Sequence, residues 1–423
     1  MYNVKKKSGW GIVEQNRIKR TWRADKLSHV GSSIFAEVAQ WRAESVQAGM
    51  DLIDLSIGSP DQGPSLAIRE ALAGEVLKED QYRYPGTRGS EEFRQHVVAW
   101  MEHRFGVKVN PATQTLALMG SQDGLAHLAQ AVCNPGDVAI VPNPGYPIYA
   151  GALAIAGVKP WYLPLKEEND FLPDLDSIPD EVWAEASFIL LNFPGNPIAV
   201  SADLDFFEKL VALARKWNVL IVHDLAYSEM GFDGYRPISI LQVPGADDIA
   251  VEFHSFSKSF NMAGCRIAFL VGNEEAVGAL RDLKNNIDFG VFMPVQKAAV
   301  TAIQQAMSST GDALYAGTLY EHRRDVLVEA LAAEGWHVHK PKATMFVWAR
   351  IPDTLRTGAD AWTSRRFARE LLLSAGVAVI PGDAFGSEGE GYVRIALVQD
   401  EEKLREAARR IGRFIREAAG SEG

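Results

Sequence analysis

Apolar and polar residues follow two different periods between residues 114 and 271. Continuous apolar runs, such as 138–141 and 219–223, are typical of strands that are buried on both faces. The stretch 203–217 instead repeats apolar residues at helical spacing, which gives it one apolar face. Strands and helices that alternate in this way predict a mostly parallel sheet with helices on both faces, an α/β fold.

The pattern changes after about residue 289, where long amphipathic stretches predict helices and fewer strands lie between them. This arrangement indicates a second, smaller α+β domain, and we expect the early helix at 32–48 to pack with it. We therefore predict three parts: an N-terminal arm and helix over 1–56, a large domain over 57–290 and a small domain over 291–423.

Composition narrows the classes of function. The 423 residues carry a net charge of −11, which argues against nucleic acid or an anionic membrane as the main partner. The two cysteines have no metal-ligand spacing and predict a reducing compartment. No apolar run approaches the roughly 20 residues of a membrane span. The basic N-terminus lacks the apolar core of a secretory signal, so we expect a cytoplasmic protein with an extended arm.

A lysine between serines is the first candidate for chemistry. Ser255-Phe-Ser-Lys258 follows a predicted strand, at the position where α/β enzymes place their functional loops. A lysine in such a place can form a Schiff base when its neighbours lower its pKa. Ser255, Ser257 and Arg266 could hold a phosphate, and together with Lys258 they suggest pyridoxal phosphate. The alternative is an ordinary solvated lysine.

Two further strand ends add candidate cofactor contacts. Asp224 could pair with the pyridine nitrogen of such a cofactor, and Tyr227 could donate to its phenolic oxygen. Asp224 could equally be a helix N-cap. Ser121 and Gln122 lie at a predicted helix N-terminus, where free N–H groups bind phosphate, although capped turns of this kind are common.

Two further polar residues are candidates for contacts with the cofactor or the substrate. Asn196, in a Pro/Gly turn after an apolar strand, could reach the phenolic oxygen from the opposite side, or it could be part of a plain turn. Arg394 lies inside an apolar strand and needs an anionic partner there. A substrate carboxylate and a structural salt bridge both satisfy that need.

The motifs occur in an order that resembles the fold type I pyridoxal-phosphate aminotransferases of class I/II. The residues within these motifs are most similar to those of the LL-diaminopimelate and alanine aminotransferase-like branch. The stretches that carry the resemblance are Tyr84-Pro-Gly-Thr-Arg-Gly89, Gly120-Ser-Gln-Asp-Gly124, Asn143-Pro-Gly-Tyr-Pro-Ile-Tyr149, Asn196-Pro197, His223-Asp-Leu-Ala-Tyr227, Ser255-Phe-Ser-Lys258, Asn261-Met-Ala-Gly-Cys-Arg266 and Tyr392-Val-Arg394.

The resemblance implies a large domain with a seven-stranded type of sheet, bound pyridoxal 5'-phosphate, and a homodimer. It implies that Lys258 forms the imine with the cofactor and then moves the proton between substrate and cofactor. The other roles that it implies are Asp224 at the pyridine nitrogen; Tyr227 and Asn196 at the phenolic oxygen; Ser121, Gln122, Ser255, Ser257 and Arg266 at the phosphate; Tyr146 stacked on the ring; Tyr84 at the phosphate of the neighbouring subunit; Arg394 at the α-carboxylate; and Gly58 beside the substrate.

Substrate choice is open at this point. Ile198-Ala199, Cys265 and Ser33 depart from the residues usual in the family, and the segment 285–293 lacks the second arginine of dicarboxylate-specific relatives. We therefore expect ping-pong transamination of LL-diaminopimelate, alanine or a broad range of amino acids with 2-oxo acids. A C–S lyase on the same fold is the alternative. A non-catalytic regulatory domain is a remote one, because the residues ahead of Ser32 are too few for a DNA-binding module.

Overall fold

The computed structural model describes residues 22–30, 33–308, 315–357 and 361–420. Most of the predicted N-terminal arm and Ser32 lie outside these residues. The strands are β1 (Ile53–Asp54), β2 (Thr115–Leu118), β3 (Val138–Asn143), β4 (Lys159–Pro164), β5 (Ala186–Leu191), β6 (Leu220–Asp224), β7 (Ala250–Ser255), β8 (Ala268–Gly272), β9 (Phe346–Arg350), β10 (Val377–Ala378), β11 (Ile380–Pro381) and β12 (Tyr392–Ala396). The α-helices are α1 (Ser33–Gln47), α2 (Leu66–Val76), α3 (Glu91–Phe105), α4 (Ser121–Val132), α5 (Ile148–Ala156), α6 (Asp180–Glu185), α7 (Leu204–Trp217), α8 (Phe256–Ser259), α9 (Glu274–Lys284), α10 (Met293–Ser308), α11 (Tyr315–Ala333), α12 (Asp353–Arg356), α13 (Ser364–Ala375) and α14 (Glu401–Gly420).

Seven strands form the main sheet in the order β2-β8-β7-β6-β5-β3-β4. Strands β3 to β7 run parallel to one another, whereas β8 is antiparallel to both β7 and β2. β8 reverses direction after the 12 residues 256–267, whose α-helix is the single turn α8, whereas a parallel return usually crosses the sheet by way of a full helix. The sheet confirms the predicted α/β fold with a mostly parallel seven-stranded sheet.

Helices cover both faces of this sheet. On one face, Ile189 and Ile221 pack into the same apolar core as Leu210 of α7. On the other, Val222 packs into a second core with Leu125 of α4. Since each of these side chains is almost fully buried, each contributes on the order of 1.5–3 kcal/mol. The strands are therefore held rigidly, and their carboxyl ends meet at one edge of the sheet.

The C-terminal part of the chain has a sheet of its own, in the antiparallel order β11-β12-β9, and a separate apolar core shared with α11, α13 and α14. β1 pairs in parallel with β10, and α1 lies against α13. α10 instead packs on α2 and α3. The domain boundaries at residues 56 and 290 stay predictions. No helix in the described ranges combines the length and apolarity needed to cross a membrane.

Candidate active site

A cavity of about 590 Å³ opens where the carboxyl ends of β6 and β7 meet the first turn of α4. The structure brings together in its lining every predicted site residue except Tyr84. These residues are Gly58, Ser121, Gln122, Tyr146, Asn196, Asp224, Tyr227, Ser255, Ser257, Lys258, Arg266 and Arg394. The carboxyl edge of the parallel strands is where ligands bind in open α/β sheets.

Lys258 lies on the single-turn helix α8, directly after β7. The hydroxyl of Ser255 caps this turn by accepting the backbone N–H of Ser257 at 3.2 Å. The Lys258 ammonium donates to the carbonyl oxygen of Gly58. Burial, together with the charges of Arg394 and Arg266, lowers the pKa of Lys258 to about 8. A substantial fraction of the amine is therefore neutral, and nucleophilic, near pH 7–8.

An anion site is built around the N-terminus of α4. Gly120 precedes this helix with φ +84° and provides no side-chain cap, and Ser121 and Gln122 of the first turn line the cavity. The Arg266 guanidinium packs against Gly120 so closely that a Cβ there would lie 2.3 Å from Nη2. Ser255 and Ser257 line the same cavity. This set of donors fits a phosphate group.

Asp224 is the last residue of β6 and is buried. It accepts a hydrogen bond from the Tyr149 hydroxyl at 2.8 Å and one from the Ala226 N–H at 3.2 Å. Burial raises the pKa of Asp224, and the Tyr149 hydrogen bond opposes that rise. A carboxylate in such surroundings fits the protonated nitrogen of a pyridine ring.

Two tyrosines face the same cavity. The Tyr146 hydroxyl donates to Oε1 of Gln122 at 3.0 Å, and its ring meets Tyr149 edge-on, with the centroids 5.8 Å apart. Tyr227 is buried, and burial raises the pKa of its phenol well above the usual range. Tyr227 therefore stays a neutral hydroxyl that can donate to a ligand oxygen.

Arg394 is 3% exposed and holds an incompletely satisfied guanidinium. Its Nη1 donates to Oδ1 of Asn196 at 3.0 Å and its Nη2 donates to the carbonyl oxygen of Ser56 at 2.9 Å, while its buried Nε has no hydrogen-bond partner. The rings of Phe346 and Phe385 lie 4.3 and 5.0 Å from the guanidinium carbon. Burial lowers the pKa of Arg394 to about 10.

The contacts of Arg394 decide between the two readings that the sequence left open. Within the described residues, no carboxylate forms an ion pair with Arg394, so a structural salt bridge does not explain its burial. A buried cation without a protein anion favours an anionic ligand, because leaving it unpaired is costly. The guanidinium faces the cavity, where a carboxylate could complete its hydrogen bonds.

Sequence reasoning missed two residues that hold this arrangement together. Tyr149 was seen only as part of a motif, yet it bonds Asp224 across 75 positions of the chain. The Asn192 amide donates to the backbone carbonyl of Asp224 at 2.6 Å, and its Oδ1 accepts the Asn196 N–H at 2.8 Å. The only sequence signal for Asn192 was its place between a buried strand and a Pro/Gly turn.

Tyr84 lies away from the cavity of its own chain. It is 86% exposed, and its ring packs against Phe289, with the centroids 5.1 Å apart. Phe289 is itself 61% exposed. Within one chain Tyr84 therefore makes no contact with the anion site, and its predicted role needs a second subunit.

The residues that line the cavity fit pyridoxal phosphate. The N-terminus of α4 with Arg266 would hold the phosphate, Asp224 would face the ring nitrogen, and Lys258 would reach the aldehyde carbon. Arg394 lines the same cavity, and no carboxylate among the described residues is paired with it, so it is available to bind a further anion. The donor set therefore offers separate places for a phosphorylated cofactor and for a carboxylate substrate.

Comparison with known proteins agrees with this chemistry. A family model of the class I and II aminotransferases matches residues 50–411. The chain is 41% identical to an LL-diaminopimelate aminotransferase of Syntrophobacter fumaroxidans, covering 92% of this chain and 98% of that protein. It is 42% identical to LL-diaminopimelate aminotransferase 2 of Trichormus variabilis, covering 92% and 97%. Its fold matches substrate-bound BacF from Bacillus subtilis with a TM-score of 0.86 at 34% identity, covering 93% and 98%.

These similarities extend over nearly the whole chain, and the predicted site residues other than Tyr84 meet in one cavity. The likeness to LL-diaminopimelate aminotransferases favours amino transfer over the C–S lyase and regulatory alternatives. The chain therefore belongs to the class I and II aminotransferases and is a pyridoxal-phosphate-dependent aminotransferase of fold type I.

Proposed function

We propose that this aminotransferase takes the amino group of LL-diaminopimelate, or of an α-amino acid with a similarly long side chain, and passes it to a 2-oxo acid in a second half-reaction. The names of the two relatives described above support this donor. The observation that carries the proposal is the buried Arg394 guanidinium, which has no carboxylate partner among the described residues and whose Nε lacks a hydrogen bond there.

Each side chain has a task in this reaction. Pyridoxal phosphate, when bound, supplies a ring that withdraws electrons from the substrate Cα. Lys258 would hold the cofactor by its aldehyde carbon and, once displaced by the amino group of the substrate, would take the proton from Cα. Asp224 would keep the pyridine nitrogen protonated. Arg394 would fix the α-carboxylate and so orient the Cα–H bond towards Lys258.

The remaining lining residues would hold the cofactor in place. Ser121, Gln122, Ser255, Ser257 and Arg266 would bind its phosphate through hydroxyl, amide and guanidinium donors, while Tyr146 would stack on its ring. Tyr227 and Asn196 would contact its phenolic oxygen. Gly58 would border the substrate, since a Cβ at this position would lie 3.5 Å from the guanidinium of Arg394.

The charged residues that line the cavity limit which substrate side chains it can bind. Three cations line it within the described residues, namely Lys258, Arg266 and Arg394, and each already has a task. The second end of LL-diaminopimelate carries both an ammonium and a carboxylate, so it has no net charge and needs no further cation. A specific aspartate donor would leave its side-chain carboxylate without such a partner.

A panel of amino donors with 2-oxoglutarate as acceptor tests the proposal, with glutamate formation as the readout. We expect LL-diaminopimelate to give the highest kcat/KM, ahead of L-alanine and L-aspartate. A preference for L-alanine or L-aspartate would refute the proposed donor. The control is cystathionine without an oxo acid, for which release of ammonia and pyruvate would indicate a C–S lyase instead.

We further propose that the active enzyme is a homodimer in which Tyr84 reaches the phosphate bound by the neighbouring subunit. The support is the exposed aromatic surface formed by Tyr84, Phe289, Tyr82 and Phe292, in which the rings pack in pairs. Exposed apolar surface of this kind is typical of protein interfaces. A cytoplasmic location stays a prediction.

A further inference from the structure

A buried charged cluster lies on the face of the sheet opposite to the cavity. His223 precedes Asp224 in β6, and its partner in the sheet register is Glu252 of β7. His254, two residues further along β7, points to the same side as Glu252. His223 and Glu252 are 0% exposed and His254 is 2% exposed. We call these three residues the His223 cluster.

Glu252 accepts four hydrogen bonds, two on each carboxylate oxygen. Oε1 accepts from the Ser239 hydroxyl and from His254 Nε2, both at 2.7 Å. Oε2 accepts from His223 Nδ1 at 2.8 Å and from the Ile240 N–H at 2.9 Å. Burial alone would raise the pKa of Glu252, but the hydrogen bonds from His223 and His254 lower it to about 2. Glu252 is therefore an anion at neutral pH.

The neighbours of His223 assign a proton to both of its ring nitrogens. Nδ1 faces the Glu252 carboxylate, and Nε2 lies 3.0 Å from the backbone carbonyl oxygen of Phe193. Because an ionised carboxylate and a carbonyl can only accept, both ring nitrogens must donate, and the ring is an imidazolium. His254 has a partner on Nε2 alone, and its buried Nδ1 has none, so the neutral tautomer suits it best.

Other charged groups near the cluster are already paired. Arg104 lies in an ion pair with Glu229 at 3.0 Å, and both are close to the ring of His254 rather than to His223. The ring of Phe207 packs 5.1 Å from the ring of His223. Glu252 is thus the counter-ion of His223, and Asp224 on the other face of the sheet is its next anionic neighbour.

The bond to Phe193 links the cluster to the active site. Phe193 is the second residue of the turn 192–196, whose last residue, Asn196, contacts Arg394. The Asn192 amide fastens the same turn to the carbonyl of Asp224. We propose that His223, held as an imidazolium by Glu252, is a positioning residue that fixes the turn carrying Asn196 and places a positive charge behind Asp224.

This inference rests on the proposed roles of Asn196 and Asp224, but its first test does not depend on them. Nitrogen-15 NMR of histidine-labelled apoenzyme reports the protonation of each ring, and the His223 signals are assigned by their loss in His223→Gln. We expect both nitrogens of His223 to carry a proton in the folded chain, because one faces the Glu252 carboxylate and the other faces a backbone carbonyl. A His223 ring with one bare nitrogen at pH 8 would overturn the inference.

The second test measures the dissociation constant of pyridoxal phosphate in three variants. His223→Ala removes the charge and the bond to Phe193, so we expect roughly tenfold weaker binding or more. His223→Gln keeps a donor for Phe193 without the charge, and we expect an intermediate loss. His254→Gln, the matched control, disturbs the same buried cluster and should change the affinity by less than about twofold.

The comparison of the variants separates positioning from a general effect on stability. An equal loss of affinity in His254→Gln and His223→Ala would mean that the cluster only supports the fold, and the inference would fail. Should His223→Ala not fold, the NMR measurement on the unmodified chain decides alone. The two proposals can fail separately. If LL-diaminopimelate is not the preferred donor while NMR finds His223 doubly protonated, the proposed function is refuted but the protonation state of His223 is established.

Discussion

Replacing Arg394 by methionine tests the central claim about substrate binding. Methionine keeps the apolar stem of the side chain, although it is shorter than arginine, and it removes the guanidinium that packs against Phe346 and Phe385 together with all five N–H donors. The hydrogen bonds to Asn196 and to the Ser56 carbonyl are lost together with the site for the carboxylate. Folding should tolerate the change, because a buried cation without an anionic partner is replaced by an apolar group.

The size of the effect follows from the contacts. A carboxylate bound bidentately gains two charge-assisted hydrogen bonds, each worth about 1.5–3 kcal/mol. Losing both therefore costs about 3–6 kcal/mol, which corresponds to a fall of roughly 10²- to 10⁴-fold in kcat/KM for the amino acid. Since the carboxylate is bound both before and during the reaction, much of the loss should appear as a higher KM.

The half-reaction, followed by the absorbance change of the bound cofactor in a stopped-flow instrument, gives kcat/KM directly. Titration with pyridoxal phosphate gives the cofactor affinity, which we expect to change by less than about twofold. Arg350→Met is the matched control, because Arg350 lies half-exposed in ion pairs with Glu167 and Asp353. A loss of kcat/KM below tenfold, or an equal loss of cofactor affinity, would refute the assignment of Arg394.

Three other results are expected. The rate at which apoenzyme captures pyridoxal phosphate should rise about tenfold from pH 7 to pH 9, because Lys258, with a pKa of about 8, loses its proton in this window. A midpoint near pH 10.5 would contradict the burial argument. Mixed dimers of Tyr84→Ala and Lys258→Ala should regain activity that neither variant has alone, since one of the two sites is then intact; no recovery in dimers shown to be mixed would exclude a shared site. Burial alone would raise the pKa of Asp123, but hydrogen bonds from His127 and Lys284 lower it to about 2. Asp123→Asn should therefore cost roughly 2 kcal/mol in the free energy of unfolding at pH 7, and this difference should shrink as the pH falls from 4 towards 2; an equal cost at both pH values, with Asp80→Asn as surface control, would be inconsistent with the ion pair.

The sequence was most informative where function follows directly from position along the chain. Asp224 is the last residue of one buried strand, Lys258 lies in the turn that follows another, and parallel strands end at a common edge. Adjacency in the sequence was therefore enough to predict that their side chains would meet. The helices that cover the sheet could be predicted from the sequence in some cases but not in others. α5 reads Ile-Tyr-Ala-Gly-Ala-Leu-Ala-Ile-Ala, which has no polar face, so its periodicity does not separate a helix from a buried strand.

The start of α9 and the direction of β8 also have signals in the sequence. α9 begins with Asn273, whose side chain accepts the N–H of Ala276, and two glutamates follow in its first turn. This combination is a typical helix start. The reversal of β8 could also be predicted, because the residues between β7 and β8 are few for a connection that contains a full crossover helix.

The contacts between distant segments could not be predicted in this way. The bond of Tyr149 to Asp224 and that of His223 to Phe193 depend on which strands become neighbours, and no local pattern encodes the order of strands in a sheet. Local patterns likewise could not predict that no carboxylate among the described residues is paired with Arg394. The sequence left a salt bridge and a ligand site open, and only the positions of all nearby carboxylates decide between them.

The charges of the cavity also explain why this site should depend on its ligands for stability. Lys258, Arg266 and Arg394 line one cavity with Asp224 as a buried carboxylate, and the repulsion from both arginines contributes to the lowered pKa of Lys258. A phosphate beside Arg266 and a carboxylate beside Arg394 supply the anions that the chain itself lacks there. Because such ligands bind the folded chain alone, they raise its stability in proportion to RT ln(1 + [L]/Kd). The arrangement that makes the apoenzyme electrostatically strained is thus the one that selects a phosphorylated cofactor and a carboxylate substrate.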